Sequence, residues 1–466
     1  MHCIQQAPNE RNEKAMRRLY ARRAVSTCAL AAVVVAGLAT PGGASAKAKG
    51  PAGANCTGSD IIAAGSTLQK LAQKSIWEPD FNTSKNAQAC SGALEPTVGP
   101  YQSIGSGEGL EDWGFKGHAF EAGRVAVVAT DEPVNTAEKA EIEANEKVKG
   151  SAPNSIQSIP VLQAAVAIIV HLPANCTATS AAAPGRLVLD NETLAAIWDG
   201  DINEWSEIKD DGDSVSGSGC VATTPITRLV RLDASGTTHI LKKYLDVIDS
   251  SPLATEADGE KTWTELSEGE LNTVWPTKAH VQKALAEGGG ALVTEVANVE
   301  SSIGYASLAD ARSNGGFSKT GGPHTGKFWV EVQNDGTSTK KVAYADPATN
   351  GDEEKLGNSN CADTKYTNGR VKFPPKTTAA VWNEVTTATK EKHYPLCGIT
   401  YDMTFSKYSA YPGTTEGEEI TAKQFLAFVL EAGSEGGQKL ILNNDYEPLP
   451  AKVLKEAKAG AALTAF

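Results

Sequence analysis

Arginine, serine, glycine and threonine stand close together in segment 231–237, and together they could bind an oxyanion. The apolar run 226–232 predicts a strand, and a helix is expected to begin at Ser235. A helix start offers free N–H groups and a favourable dipole to negative charge. Gly236 admits a ligand close to the backbone, and Arg231 supplies a permanently charged planar fork. An ordinary serine N-cap beside a surface arginine fits the same residues.

A second strand-to-helix turn contains Gly65, Ser66 and Thr67. A short apolar strand is predicted over 60–64, and the apolar spacing after the turn predicts a helix that ends at Pro79. Hydroxyl groups at such a turn can bind an anion at the helix start, although a simple N-cap again fits them.

A hydroxyl and a carboxylate follow in two further segments. Ser106 lies in the glycine-rich loop 101–109, whose G-x-G-x-G spacing falls short of the dinucleotide fingerprint. Asp131 comes directly after the apolar strand predicted over 125–130, where it could accept a proton or begin the turn that contains Pro133. Each of these segments is a weak signal when it is taken alone.

The elements that position these segments alternate between strands and helices. A long apolar run over 161–172 predicts a strand buried on both faces, and helices are predicted within 187–205 and over 235–248. Strands that alternate with helices indicate an α/β protein with mostly parallel sheets. Polar, turn-rich residues at 314–325 and 335–376 are expected to form surface loops or a small insertion.

Charge and motif content exclude several classes of protein. The 466 residues carry 43 Lys and Arg against 56 Asp and Glu, and the net charge of −13 argues against nucleic acid or an anionic membrane surface as partner. The histidines are scattered without an H-E-x-x-H pattern, and no C-x-x-C pair is present. No metal and no cofactor are therefore expected.

The first 46 residues predict a cleavable export signal. Arginines between positions 17 and 23 precede an apolar stretch at 25–38, and Ala-Ser-Ala at 44–46 is suited to cleavage. Cys28 lacks a convincing lipobox, and no later stretch is long enough to span a membrane. We expect an exported protein, periplasmic or extracellular and not inserted in the membrane, that begins with a linker at 47–56.

Together the four segments resemble the periplasmic phosphate-binding proteins of bacterial phosphate ABC importers. That family typically shows a G-[AS]-[ST]-T-[FL] turn, then Y-x-x-I-G-S-x-x-G, A-S-D-x-P and R-x-D-x-S-G-T. This chain has a version of each, in that order, within 64–68, 101–109, 129–133 and 231–238. Further segments are similar to other parts of the family, so that the resemblance covers residues 57–455; they are 159–167, 194–205, 302–305 and 446–450.

The resemblance implies a two-lobed periplasmic binding protein fold, in which each lobe is a mostly parallel sheet flanked by helices and two crossing strands form the hinge. The first lobe is expected to comprise 57–160 and 303–466, with an insertion at about 314–395, and the second lobe 161–302. Six cysteines remain after the predicted signal and allow fifteen disulfide pairings. We favour sequence neighbours, which would each pair within one lobe segment: Cys56–Cys90, Cys176–Cys220 and Cys361–Cys397.

The resemblance also implies ligand contacts from both lobes. The first lobe would provide hydroxyls, a backbone turn and one carboxylate, from Thr67, Leu68, Ser106 and Asp131. The second lobe would provide a guanidinium and a helix start, from Arg231, Ser235, Gly236 and Thr237. Asp233 would pair with Arg231 and orient it, and Asp131 would accept a proton from the ligand.

Two departures from the family pattern affect this assignment. Leu68 stands where many members have Phe, which changes little because its backbone would make the contact. Thr130 and Glu132 flank Asp131 in place of the commoner serine and small residue. The negative charge of Glu132 is expected to weaken anion affinity.

The expected function is capture of inorganic phosphate by a monomer that delivers it to the permease subunits of an ABC importer. A secreted phosphate scavenger or an adhesive protein of the same fold is an alternative. A secreted hydrolase is less favoured. Ser235 and His239 could suggest a catalytic pair. However, they stand four residues apart on one predicted helix, which is not a nucleophile-elbow pattern, and no G-x-S-x-G motif occurs.

Overall fold

One large sheet with helices around it forms the centre of the structure, which is a computed structural model. It describes residues 58–83, 97–117, 125–145, 156–180, 185–209, 215–221, 224–256, 259–320, 326–334, 344–349, 357–361 and 393–466. The predicted signal at 1–46, the linker at 47–56 and the pair Cys56–Cys90 lie outside these residues. Among the residues described, no helix is long and apolar enough to cross a membrane.

The secondary structure alternates as the sequence predicts. In chain order the strands are β1 (Ala63–Gly65), β2 (Gln102–Ser103), β3 (Val127–Thr130), β4 (Ile156–His171), β5 (Thr177–Ala178), β6 (Val188–Leu189), β7 (Val215–Ser216), β8 (Thr227–Val230), β9 (Leu253–Ala254), β10 (Glu260–Lys261), β11 (Gln282–Lys283), β12 (Ser302–Ser307), β13 (Lys327–Trp329), β14 (Glu331–Gln333), β15 (Tyr344–Ala345) and β16 (Cys397–Phe405).

The helices pack around these strands. The α-helices are α1 (Glu78–Thr83), α2 (Ser106–Glu111), α3 (Thr136–Asn145), α4 (Asn191–Asp199), α5 (Gly236–Ile248), α6 (Trp263–Leu266), α7 (Gly289–Asn298), α8 (Leu308–Gly315), α9 (Glu416–Val429), α10 (Gly437–Leu440) and α11 (Ala451–Ala461). A π-helical segment, Leu71–Trp77, leads directly into α1, so the predicted helix end at Pro79 is wrong. Pro79 lies in the first turn of α1, where a missing N–H is tolerated. Short 3-10 helices lie at Phe115–Gly117, Trp205–Glu207, Ser218–Cys220, Gly269–Thr273, Thr277–Ala279 and Tyr408–Ala410.

The longest strand, β4, belongs to both halves of the sheet. All of its residues before the last are buried, which confirms the double-faced burial predicted from its apolar run. Pro160 cannot donate to the strand ladder, and the pairing with β16 shifts register beside it, between Thr400 and Tyr401. The carbonyl of Val161, opposite this shift, accepts a hydrogen bond from Nε2 of Gln438 (2.7 Å) instead.

Strand pairing divides the sheet into two lobes that share β4. The first lobe contains the parallel strands β2, β1 and β3, and β16 joins β3 to residues 156–165 of β4. The second lobe contains the parallel strands β11, β8 and β12, and β12 pairs with residues 166–171 of β4. The predicted fold, a two-lobed α/β protein with central joining strands, is confirmed.

The region between β12 and β16 contributes one strand to the large sheet and two strands to a separate three-stranded sheet. β13 pairs with β4 at residues 169–171, and β14 pairs with β6 and β15. The predicted insertion at about 314–395 therefore includes β13, β14 and β15 within its described part. The residues at which the chain passes from one lobe to the other stay a prediction.

Two of the three predicted disulfides fall on described residues, and both are present. Cys176–Cys220 joins the segment after β4 to a short 3-10 helix, and its Cα atoms are 5.1 Å apart. Cys361–Cys397 joins a loop to the first residue of β16, with a Cα separation of 5.9 Å. Both pairings between sequence neighbours are therefore confirmed.

Asp402 on β16 is a fully buried carboxylate next to glutamine side chains. Its Oδ1 accepts a hydrogen bond from Nε2 of Gln73 (2.9 Å), which also donates to Oε1 of Gln69 (2.9 Å). Burial raises the pKa of Asp402 from 3.8 to about 7, and hydrogen bonds from Gln73 and Gln69 oppose this only in part. The folded protein therefore keeps a proton on Asp402 that the unfolded chain loses at lower pH.

We expect Asp402→Asn to flatten the pH dependence of stability. The raised pKa of Asp402 makes the wild-type free energy of unfolding fall as pH rises from about 4 to about 7, because only the unfolded chain ionises there freely. Asparagine cannot ionise. Between pH 5 and pH 8 the variant should therefore lose roughly 2–3 kcal/mol less stability than the wild type.

Urea unfolding at both pH values measures this difference. Other buried carboxyls titrate equally in the two proteins, so they cancel in the comparison. Asp60→Asn, which alters an exposed carboxylate, serves as the control variant. Parallel profiles for Asp402→Asn and the wild type would contradict the prediction.

Candidate ligand-binding site

The predicted binding residues meet at the carboxyl ends of three strands. β1 leads into Ser66 and Thr67, β3 leads into Asp131, and β8 leads into Arg231. The carboxyl ends of parallel strands in open α/β sheets commonly form a ligand crevice. Because β1 and β3 belong to the first lobe and β8 to the second, this crevice lies between the lobes.

Helix α5 of the second lobe approaches the first lobe at Gly236. A Cβ built on Gly236 would lie 2.5 Å from Cβ of Asp131 and 2.7 Å from Oγ of Ser106, so a side chain does not fit there. The hydroxyl of Thr237 hydrogen-bonds to the carboxylate of Asp131. Oγ of Ser106 accepts the backbone N–H of Asp131 (3.2 Å). The structure thus brings these four predicted residues together.

The turn after β1 directs two hydroxyls to the crevice. Gly65 has a φ of +125°, and a Cβ there would lie 2.0 Å from a carbonyl oxygen of β3, so the turn requires glycine. Oγ of Ser66 donates to Oδ1 of Asp131 (2.5 Å). Oγ1 of Thr67 accepts from Nη1 of Arg231 (3.2 Å), which joins the two lobes.

Arg231 is 2% exposed, and its guanidinium is held on two sides. Nε donates to Oδ1 of Asp233 (2.8 Å), and Nη2 donates to Oδ2 of the same carboxylate. The backbone N–H of Arg231 donates to the hydroxyl of Tyr305 (3.3 Å). Because Asp233 holds one edge of the fork, Nη1 remains directed at Thr67 and the crevice.

Ser235 and Leu68 make mainly structural contacts. Oγ of Ser235 accepts the N–H of Thr238 (3.4 Å) as the N-cap of α5, and its own N–H donates to Oδ1 of Asn272 (3.0 Å). The side chain of Leu68 is buried, and its carbonyl accepts the hydroxyl of Tyr446 (2.7 Å). Their ligand contacts, through the serine hydroxyl proton and the leucine N–H, stay a prediction.

Asp131 has the electrostatic setting of a proton acceptor. Burial raises the pKa of Asp131 from 3.8 to about 7. Hydrogen bonds from Ser66 and Thr237 and the charge of Arg231 lower this pKa, and the nearby carboxylate of Asp310 raises it. A carboxylate of this kind beside a helix start and a guanidinium suits an anion that itself carries a proton.

Four residues near the site were not among the predicted ligand contacts: Ser66, Asn272, Tyr305 and Asp310. Ser66 and Tyr305 lie inside segments that the sequence did single out, so a signal for them was present. Asn272 and Asp310 lie in segments that had no such pattern. They reach the site through contacts with Ser235 and with the turn at Gly289, respectively.

The geometry does not support a serine hydrolase. Nδ1 of His239 lies 2.9 Å from the carbonyl oxygen of Ser267 and 3.4 Å from Oε2 of Glu132, and Oγ of Ser235 caps α5. The carboxylate of Glu132 therefore lies next to the imidazole of His239. Within the described part of the chain, no cluster of His, Cys, Asp and Glu is arranged to hold a metal ion.

Comparison with known proteins identifies the fold. A family model for a PBP superfamily domain matches residues 50–432. A human phosphate-binding apolipoprotein is 19% identical, with a TM-score of 0.56 over 86% of this chain and 94% of that one. A phosphate-binding protein from Stenotrophomonas maltophilia is 17% identical, with a TM-score of 0.54 over 86% and 93%.

A third similar structure is a high-affinity periplasmic phosphate-binding protein, PfluDING, bound with phosphate. It is 19% identical, with a TM-score of 0.54 over 86% of this chain and 93% of that one. No curated protein matches the sequence. At these identities the structures establish a shared fold.

Proposed function

Since the chain belongs to the PBP superfamily, we propose that it captures inorganic phosphate in the crevice between its lobes and delivers it to an ABC importer. The observation that carries this proposal is the buried Asp131 carboxylate, whose pKa is about 7, beside Arg231 and the start of α5. Groups that can donate hydrogen bonds to an anion come from both lobes and surround one acceptor, the carboxylate of Asp131. That combination matches an oxyanion with a single proton to donate.

The proposed contacts use each lobe differently. Arg231, Gly236 and Thr237 provide charge and N–H or hydroxyl donors from the second lobe, and Thr67 and Ser106 provide hydroxyls from the first. Phosphate oxygens accept these hydrogen bonds, and the P–OH donates to Asp131. A ligand held from both sides stabilises the closed arrangement of the lobes over an open one.

Delivery to an importer is consistent with the export signal predicted at 1–46 and with the similar solved structures, which are phosphate-binding proteins. We propose a monomer that acts outside the cytoplasmic membrane and contacts the permease subunits of the importer. A secreted scavenger of the same fold would have the same site. Loss of phosphate uptake on deletion of the gene distinguishes the importer component from the scavenger.

Calorimetric titration of residues 47–466 with phosphate, sulfate, tungstate and a phosphonate tests the ligand. We expect one phosphate per chain. Gly236→Ala should weaken phosphate binding by at least about tenfold, because its Cβ would contact Asp131 and Ser106.

The matched control is Gly433→Ala. Its Cβ would lie 3.5 Å from Glu431, an ordinary contact on the surface, so binding should be unchanged. Absence of phosphate binding by the folded wild-type protein, or equal binding by Gly236→Ala, would refute the proposed site.

A further inference from the structure

A large groove opens beside the proposed phosphate site. It has a volume of about 820 Å³ and lies between Lys70 and Lys74 of the first lobe and residues 285–299 of the second. Asp310 and Asn314 also line it. We call this cavity the lateral groove. Inorganic phosphate alone would leave most of such a volume to solvent.

The lateral groove meets the proposed phosphate site at Thr67. Oγ1 of Thr67 accepts from Nη1 of Arg231 and also from the N–H of Gly289 (3.2 Å each), and Thr67 is itself part of the groove wall. Asp310 lines the groove and also raises the pKa of Asp131, so its charge acts on the crevice. A ligand oxygen at Thr67 would therefore lie at the boundary between the two spaces.

We propose that the lateral groove accommodates the organic part of a phosphomonoester, which extends the proposed phosphate site to small sugar-like or polyol phosphates. This inference rests on the proposed function, because the phosphoryl group would bind as inorganic phosphate does. The second pKa of a monoester is about 6, so at about pH 6 the ester or Asp131 carries the proton for a hydrogen bond between them. Its bridging oxygen carries no proton and would face Thr67. That oxygen can only accept a hydrogen bond, so the protein must supply the donor there.

The chemistry of the groove walls selects the kind of substituent. Lys70 and Lys74 stand on one side, and Glu287, Glu295 and Asp310 on the other, so neither sign of charge dominates. Hydroxyl and amide side chains also line the groove and can exchange hydrogen bonds with hydroxyl groups; they are Ser103, Thr294, Asn298 and Asn314. A neutral, hydroxylated tail suits these walls better than a charged or a purely apolar one.

Titration at about pH 6 with inorganic phosphate and, separately, with glycerol 3-phosphate freed of inorganic phosphate tests this inference. Thr294 and Asn298 are exposed one turn apart on α7 and both line the groove. The double variant Thr294→Trp/Asn298→Trp should weaken ester binding by at least about tenfold and change phosphate binding by less than about twofold. Thr294→Ala/Asn298→Ala leaves the groove open and should bind both ligands within about threefold of the wild type.

The outcomes separate this inference from the proposed function. Phosphate binding without measurable ester binding would overturn the groove assignment and leave the phosphate site intact. Ester binding that both double variants leave unchanged would place the organic part elsewhere and also overturn it. Absence of binding by either ligand would overturn the proposed function itself.

Discussion

Phosphate should bind the wild-type protein on the order of 10⁴-fold more tightly than sulfate, and Asp131→Asn should remove most of this preference. Phosphate carries a proton near neutral pH and can donate a hydrogen bond to the buried carboxylate, whereas sulfate is fully ionised. With sulfate bound, Asp131 would face an oxygen without a proton, so that charge repulsion and an unmet acceptor act together. An asparagine amide can donate to sulfate instead.

The pH dependence of the preference follows from the same carboxylate. Burial raises the pKa of Asp131 to about 7, so Asp131 is increasingly protonated below that pH and can then donate to sulfate. The preference for phosphate should therefore shrink as pH falls from about 8.5 to about 5.5, and Asp131→Asn should show a weaker change.

Competition titrations at both pH values measure the ratio of the two affinities. Asp402→Asn is the matched control, since Asp402 is an equally buried carboxyl with a pKa raised to about 7 that contacts Gln73 and not the crevice. It should keep the wild-type preference. Comparable phosphate and sulfate affinities in the wild-type protein would falsify the role of Asp131 and would point to another oxyanion.

Replacement of Arg231 should cause the largest loss of phosphate affinity. Arg231→Ala removes the guanidinium and leaves the carboxylate of Asp233 next to the anion without its partner, for an expected loss of about 3–5 kcal/mol. Arg231→Lys keeps the charge but loses the two-bond pairing with Asp233, for a loss of roughly 1–3 kcal/mol. Calorimetry on the folded variants gives both values.

Arg312 offers a matched control for these variants. It forms a similar buried pair with Asp445, in which Nε lies 2.8 Å from Oδ2 and Nη2 lies 3.0 Å from Oδ1, and it packs over the ring of Trp329. Arg312→Lys should lower the free energy of unfolding without a change in phosphate affinity. Near wild-type phosphate binding by both Arg231 variants would exclude Arg231 as a ligand.

Local patterns in the sequence were sufficient for the elements and for most of the site. The apolar run of β4 predicted burial on both faces, because such periodicity reflects side-chain burial directly. The N-cap at Ser235 was predicted because helix starts select short polar side chains within a few residues. The same reasoning identified Gly236 as a point of close backbone approach, whereas the tight contact at Gly65 was found only in the structure.

The tertiary structure decided what those residues do to one another. Thr67 and Arg231 are 164 positions apart in sequence and become hydrogen-bonded only when β1 and β8 lie on the two sides of β4. Ser66 becomes the partner of Asp131 because β1 and β3 are adjacent strands in the first lobe.

By itself, the sequence determined the residue types at each strand end, because turn, cap and strand preferences act over a few neighbouring residues. Only the folded chain determined the raised pKa of Asp131, the approach of Asp310 and the lateral groove. Each of these depends on burial and on contacts between distant segments, and no local pattern encodes how much water a group loses when two lobes meet.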